Sequence, residues 1–335
     1  MANIIFAQEP GLNESIYGSS QAPIRAFIEQ RAEAFEQNSV WKKLFKVQKS
    51  NRWAEKITSM TAMEGPRPVG ENGLAPVDGY QEGFSKEIHH VAWRDQFAIT
   101  RVMVDDAQMM DLKKQPAAFI AAYYRKMEVF AASMFGRAFG GADKLTFDGW
   151  DFPLTTADDV PLFSAEHKSK TRAGYKQSNQ FSNALTADNL GLLETAHQMF
   201  TDDDGNILNL APDTIVIPNV QSIKKAAFLA VGSEKSPVDS TNAMNYQFGR
   251  WNIIVWPYLN RFVDEGDAPW MLLDSRYLDD FDAALWFDRT GLEVNSYIDH
   301  STLANVWQMY FRFGAGFADW RAFSVGGIAD ATQLS

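Results

Sequence analysis

Three clusters in this 335-residue chain have residue types that could do chemistry. Asp202-x-Asp204-x-Asn206 imitates the start of a calcium loop, which sets oxygen ligands at alternate positions, glycine at the sixth and an acid at the twelfth. Here Ile207 takes the sixth place and the twelfth falls in the next strand. A surface turn closing a helix is the expected outcome. His89-His90 lies on an alternating stretch, where neighbours point to opposite faces and do not share one metal. Ser164, Glu166 and His167 carry hydrolase residue types, but no nucleophile elbow or oxyanion motif accompanies them. Acid–base pairs of the glycosidase kind are inevitable by chance among 42 acidic residues. Neither Gly65 to Gly73 nor Gly314-Ala-Gly316 completes a phosphate loop. No catalytic residue, metal site or cofactor is expected, and the reading is that the chain is not an enzyme.

Composition narrows the classes further. With 46% apolar and 13% aromatic residues the chain can bury substantial cores. A formal charge of −11, with no basic pair growing into a patch, opposes tight nucleic-acid binding. The absence of cysteine excludes disulfides and thiolate chemistry, and five histidines leave little for metals. No run of eighteen apolar residues exists, so no membrane partner is expected. The first residues lack the basic region and apolar core of a signal peptide, which points to a cytoplasm as the place of synthesis and use.

The elements that must position these residues follow from periodicity. Residues 1–24 are polar and aperiodic and read as a flexible or extended arm. Ile24, Phe27, Ile28 and Phe35 recur at helical spacing behind Pro23. Alternating stretches at 57–63 and 84–100 flank an end rich in Gly and Pro, giving a long hairpin whose end is too long for an ordinary compact domain; a partner subunit is the natural support. Pro116 opens the longest helix, about 24 residues, with Phe119, Ile120, Tyr123, Met127, Phe130, Met134 and Ala138 along its core face. Leu145 to Trp150 reads as a strand and turn, and Thr186 caps a second helix. Asp213–Pro218, Val220–Val231 and Trp251–Trp256 form a strand, helix, strand unit distinct from what precedes it. Strands return around Trp270–Leu273, Leu285–Phe287 and Val306–Phe313. In the last, Trp307, Met309, Phe311 and Phe313 alternate with Gln308, Tyr310 and Arg312, and Gly314 and Gly316 either bend the strand or let another chain come close.

This order, together with Val160-Pro-Leu-Phe-Ser-Ala-Glu-His167, Leu185-Thr-Ala-Asp-Asn-Leu190, Asp204 to Pro218 and Ile223-Lys-Lys-Ala-Ala227, resembles the major capsid (head) proteins of tailed bacteriophages, including those of Mu-like phages. The resemblance implies an α+β fold of the Hong Kong 97 type. It maps 1–50 to an N-terminal arm, 51–104 to an extended hairpin loop, and 105–207 and 275–335 to a peripheral domain with a spine helix. Residues 208–274 become an axial domain. The implied function is a non-enzymatic shell subunit, forming hexamers and pentamers of itself in the host cytoplasm and residing in the virion around double-stranded DNA, which it contacts non-specifically. Implied partners are a scaffold protein, a portal and a decoration protein. Some relatives begin with a long charged coiled-coil segment absent here, which implies a separate scaffold or a mature form. Gly65, Pro66, Arg67, Pro68, Glu71, Asn72 and Tyr80 on the hairpin, with Phe27 and Trp41 on the arm, are the expected inter-subunit contacts. No lysine lies between Glu64 and Gly83, so no covalent link from the hairpin end is expected.

Two other readings stay open at this point. An encapsulin-like compartment would share the subunit fold and differ in its cargo. A carbohydrate-active enzyme or binding module could use the ten tryptophans as stacking platforms. Trp251, Trp256, Trp286 and Trp307 lie in apolar strands, however, which favours a core role.

Overall fold

A computed structural model describes residues 4–60, 68–69, 71, 74, 82–106, 109–235, 244–263, 268–329 and 331–334. The first fifty residues hold β1 (Ile5–Gln8), α1 (Gly18–Asn38), the single turn α2 (Trp41–Leu44) and β2 (Lys46–Lys49). A hairpin of β3 (Ala54–Met60) and β4 (Glu82–His89) follows, then β5 (Val91–Ile99), α3 (Arg101–Asp105) and the long α4 (Met109–Phe139). Two small hairpins, β6 (Lys144–Phe147) with β7 (Trp150–Pro153) and β8 (His167–Lys168) with β9 (Lys176–Gln177), lead to α5 (Ala187–Gln198). Next come β10 (Thr214–Pro218), α6 (Gln221–Val231), β11 (Asn252–Trp256), β12 (Trp270–Leu273) and α7 (Ser275–Asp280). The final strands are β13 (Ala284–Asp299), β14 (Ala304–Phe317) and β15 (Phe323–Gly326).

The main sheet is built on the long antiparallel pair β13 and β14, with β5 antiparallel on the far side of β14. Both β2 and β1 lie parallel along the other edge of β13, against Leu285–Asp288 and Glu293–Ser296. Helix α4, about 46 Å long at 1.5 Å per residue, packs on this sheet through Ile120, Met127, Phe130, Met134 and Ala138, all buried. At the centre Trp286 is fully buried, stacked on Phe313 at 4.4 Å, with Trp41 at 4.2 Å and the edge of Phe130 at 5.6 Å. Buried Trp307, Met309, Phe311 and Phe313 alternate with half-buried Gln308, Tyr310 and Arg312, as their spacing predicts.

A second sheet runs β11, β10, β12, β15, with β10 and β11 parallel. Both of its faces are covered. Ile215, Ile217, Trp270 and Leu272 pack under α5 and α6, while Val216, Ile254, Met271 and Leu273 join the core of α4. An unbroken apolar strand such as β10 is what burial on both sides demands.

Several expectations are corrected. Residues 1–24 read as a flexible or extended arm, and the flexible alternative gives way: Leu12 and Tyr17 are buried, the Tyr17 hydroxyl donates to the Leu303 carbonyl at 2.5 Å, and β1 is hydrogen-bonded into the main sheet. Their apolar partners lie near residue 300, out of reach of any local pattern. Pro116 is read as opening its helix, but α4 begins seven residues earlier, and Pro23 lies five residues inside α1. Each proline removes the hydrogen bond that an amide there would give to the carbonyl four residues back, a loss that the packing of the two helices offsets. The stretch 84–100 is divided: β4 stays in the hairpin and β5 crosses into the main sheet. The strand β14 continues through Gly314 and Gly316 instead of kinking. Leu190 and Leu193 of α5 pack with Ile223 and Ala227 of α6, and β15 pairs with β12.

Candidate assembly surfaces

Among the described residues, the apolar burial of the β3 and β4 hairpin is a small cluster that Ile57 and Ile88 share with Leu285 and Phe287. Polar contacts seat its base instead. Ser50, at the end of the arm, donates its hydroxyl to Glu55 Oε1 at 2.7 Å and lies 3.1 Å from His90 Nε2. Burial, then the nearby Arg312, lowers the affinity of His90 for a second proton. On the other strand Lys86 is 7% exposed and donates to the Thr155 carbonyl at 2.8 Å and hydroxyl at 2.7 Å. Burial pulls the Lys86 ammonium below the usual lysine range, against the opposing pull of Asp159 and Asp158. Gly314 is where this base crosses β14: a Cβ there would lie 2.4 Å from the His89 carbonyl oxygen. The close-approach reading of Gly314 is therefore the correct one, and the approaching segment is the chain's own.

The residues singled out for chemistry are held by structural roles. Asp202 Oδ1 accepts the amides of Asp204 at 2.9 Å and Asn206 at 2.8 Å, which closes a turn. His167 turns away from Ser164 and bonds Asp158 Oδ2 at 2.9 Å, with its ring stacked on Trp320 at 4.4 Å. His89 and His90 do face apart, the first exposed and the second buried. Among the described residues no group of three or more His, Cys, Asp or Glu could hold a metal ion, and no helix is long and apolar enough to cross a membrane.

A sequence profile of the phage capsid protein family matches residues 86–325, well over half of the chain. The chain belongs to that family. The capsid chain also matches solved structures: one titled Mycobacterium phage Patience, with TM-score 0.51 and 12% identity, covers 100% of this chain and 95% of that one. The capsid of Myoviridae phage XM1 follows with TM-score 0.48, 12% identity and coverage of 86% and 90%. The holo-SrpI encapsulin complex of Synechococcus elongatus gives TM-score 0.48, 10% identity and 88% of each chain. No curated protein matches the sequence. The family match and the first of these likenesses carry the assignment: this is a structural capsid protein with the Hong Kong 97-type fold.

Within this capsid chain the expected contact residues divide. Pro68 and Glu71 are exposed near the hairpin end, beside Val69 at 52% and Leu74 at 93% exposure. Gly65, Pro66, Arg67, Asn72 and Tyr80 lie outside the described residues. Phe27 is half-buried, with the Arg31 guanidinium 5.5 Å from its ring centre. Trp41 is 4% exposed and spends its surface on the chain's own core, so it anchors the arm and offers a neighbour little. Sequence reasoning missed an apolar surface on the α/β unit: Phe228 and Leu229 are exposed on α6, and Met244 and Phe248 on the segment after it. The signal was present, because α6 also carries Ile223, Ala227, Ala230 and Val231 facing inward, and a helix apolar on both faces has more than one surface to cover.

Proposed function

We propose that this capsid protein is the major subunit of a tailed-phage head, joined through hexamers and pentamers into a closed icosahedral shell around double-stranded DNA. Assembly in the host cytoplasm, with a separate scaffold protein, a portal and a decoration protein, belongs to the same reading. The observation that carries it is the family match, supported by a hairpin whose described residues bury only a small cluster at the base and expose Val69 and Leu74. Head-to-tail contacts that repeat around an axis close into rings. The chain carries −11, so like subunits repel, and salt that shortens the screening length to about 10 Å at 0.1 M promotes association. Electron microscopy of the purified protein across salt conditions tests the proposal: hollow particles or capsomer rings support it, and uniformly small particles under every condition, scaffold present, overturn it.

A further inference from the structure

A groove of about 450 Å³ runs between α4 and the outer strands of the main sheet. Its aromatic wall is Trp93, Tyr123, Phe147 and Phe311. Four cations line it, and the guanidinium of one, Arg94, lies 5.4 Å from the centre of the Tyr310 ring. Lys126 is already engaged, ion-paired with Asp148 and 4.6 Å from the centre of the Phe147 ring. Arg125 and Arg261 are exposed and make no ion pair or hydrogen bond among the described residues. The carboxylate of Asp95, also in the groove, accepts the amide of Gln96 at 2.9 Å. Trp93 adds an indole N–H that is buried without a partner.

In a chain where 42 acidic residues outnumber 31 basic ones, two guanidiniums left unpaired in one concave, ring-lined site require an explanation. A guanidinium beside aromatic faces suits the phosphodiester backbone of nucleic acid: the planar cation takes phosphate oxygens, and the rings take sugars or an unstacked base. We infer that this groove is a nucleic-acid phosphate site. It rests on the reading of the chain as the shell around DNA, and it explains how a subunit of charge −11 tolerates a polyanion. Repulsion acts over the whole surface and is screened beyond roughly 10 Å at 0.1 M salt, while the two arginines act at contact. One site is weak, and many copies facing one polymer add avidity.

The test is fluorescence anisotropy of the full-length, unassembled subunit with short labelled DNA, single-stranded in one arm and duplex in the other, over a range of salt. Arg125→Glu with Arg261→Glu is expected to weaken binding at least about tenfold and to flatten the salt dependence by the share of roughly two phosphates. Arg→Lys at both positions restores most of the binding. Lys168→Glu with Lys170→Glu, the same charge change on the exposed hairpin of β8 and β9, leaves it within about twofold, the spread expected for charges away from the contact. Should the double glutamate variant fail to fold by circular dichroism, Arg→Gln at both positions replaces it. Equal loss in the β8–β9 variant would reduce the effect to net charge and overturn the inference. Unchanged DNA binding would overturn it too, and if shells also stop forming, the groove holds an acidic segment of another copy. Shell formation by the unaltered protein, seen by electron microscopy, reports separately on the parent reading.

Discussion

The arm and the long hairpin both look, in sequence, like segments that lean on neighbours, and the structure separates them. In the arm, Leu12 is buried, and Tyr17, Ile24, Ile28, Trp41, Leu44 and Phe45 are buried in the core of α4 and the main sheet. The hairpin has Ile57 and Ile88 at its base and exposed Val69 and Leu74 toward its end. Ordering a residue costs about 1–2 kcal/mol of backbone entropy, and burying a large apolar side chain returns about 1.5–3 kcal/mol. The arm meets that requirement within its own chain. Among the described residues the hairpin meets it only at its root, where Ile57 and Ile88 join Leu285 and Phe287.

Breaking the arm should have the largest effect. Deleting residues 2–17 removes β1 and the buried Leu12 and Tyr17, and is expected to lower the melting temperature more than any single substitution here. Trp41→Ala removes the ring against Trp286 and should cost about 3–5 kcal/mol in urea unfolding. A midpoint unchanged from the parent would show that the arm is not part of the fold.

Acid probes the junction between α5 and the second sheet. His197 is fully buried beside the Ser324 hydroxyl at 2.9 Å, and burial drives its pKa down to about 3. The native ring refuses a proton that the unfolded ring accepts below its ordinary pKa near 6.5, so stability is lost as pH falls from about 6.5 toward 3. The slope is at most about 1.4 kcal/mol per pH unit. His197→Asn should flatten that limb of the stability curve, and an unaltered slope would contradict the assignment.

Smaller effects sharpen the comparison. Glu128 on α4 accepts the Val40 amide at 2.7 Å and the Trp256 indole at 2.8 Å, tying the arm and the second sheet to one helix. Burial raises its pKa despite both bonds, and Glu128→Ala, which orphans two donors, should cost about 1–3 kcal/mol. Gly314→Ala drives a Cβ against the His89 carbonyl and is expected to cost a similar amount, about 1–3 kcal/mol, loosening the hairpin base first. Replacing residues 62–81 by a short Gly-Ser turn should change stability least, within about 0.5 kcal/mol, while lowering the yield of shells. A large drop in melting temperature there would mean that the hairpin end supports the subunit itself.

Much of this was legible in residue order. Helix α4, capped helix α5, the strand, helix, strand unit and the alternation at 307–313 all follow from local periodicity, and so does the Asp148-Gly149 turn between β6 and β7, where both residues have positive φ, 49° and 83°. What escaped depends on partners distant in sequence. Tyr17 meets Leu303, β15 meets β12, and Ser50 meets His90, and none of these leaves a local pattern. Trp41 looked like an anchor for a neighbour because the ring it packs on, Trp286, lies 245 positions away. The groove of Arg125 and Arg261 escaped for the same reason, as five separate segments, β5, α4, β6, residues 257–262 and β14, bring its cations and rings together.

Hydrogen exchange read by mass spectrometry on the free subunit and on the assembled shell tests the central claim most directly. The account predicts that residues 18–49 are protected in both states, while β3 and β4 gain protection only in the shell. Rapid exchange across α1 in the free subunit, or hairpin strands equally protected before and after assembly, would contradict it.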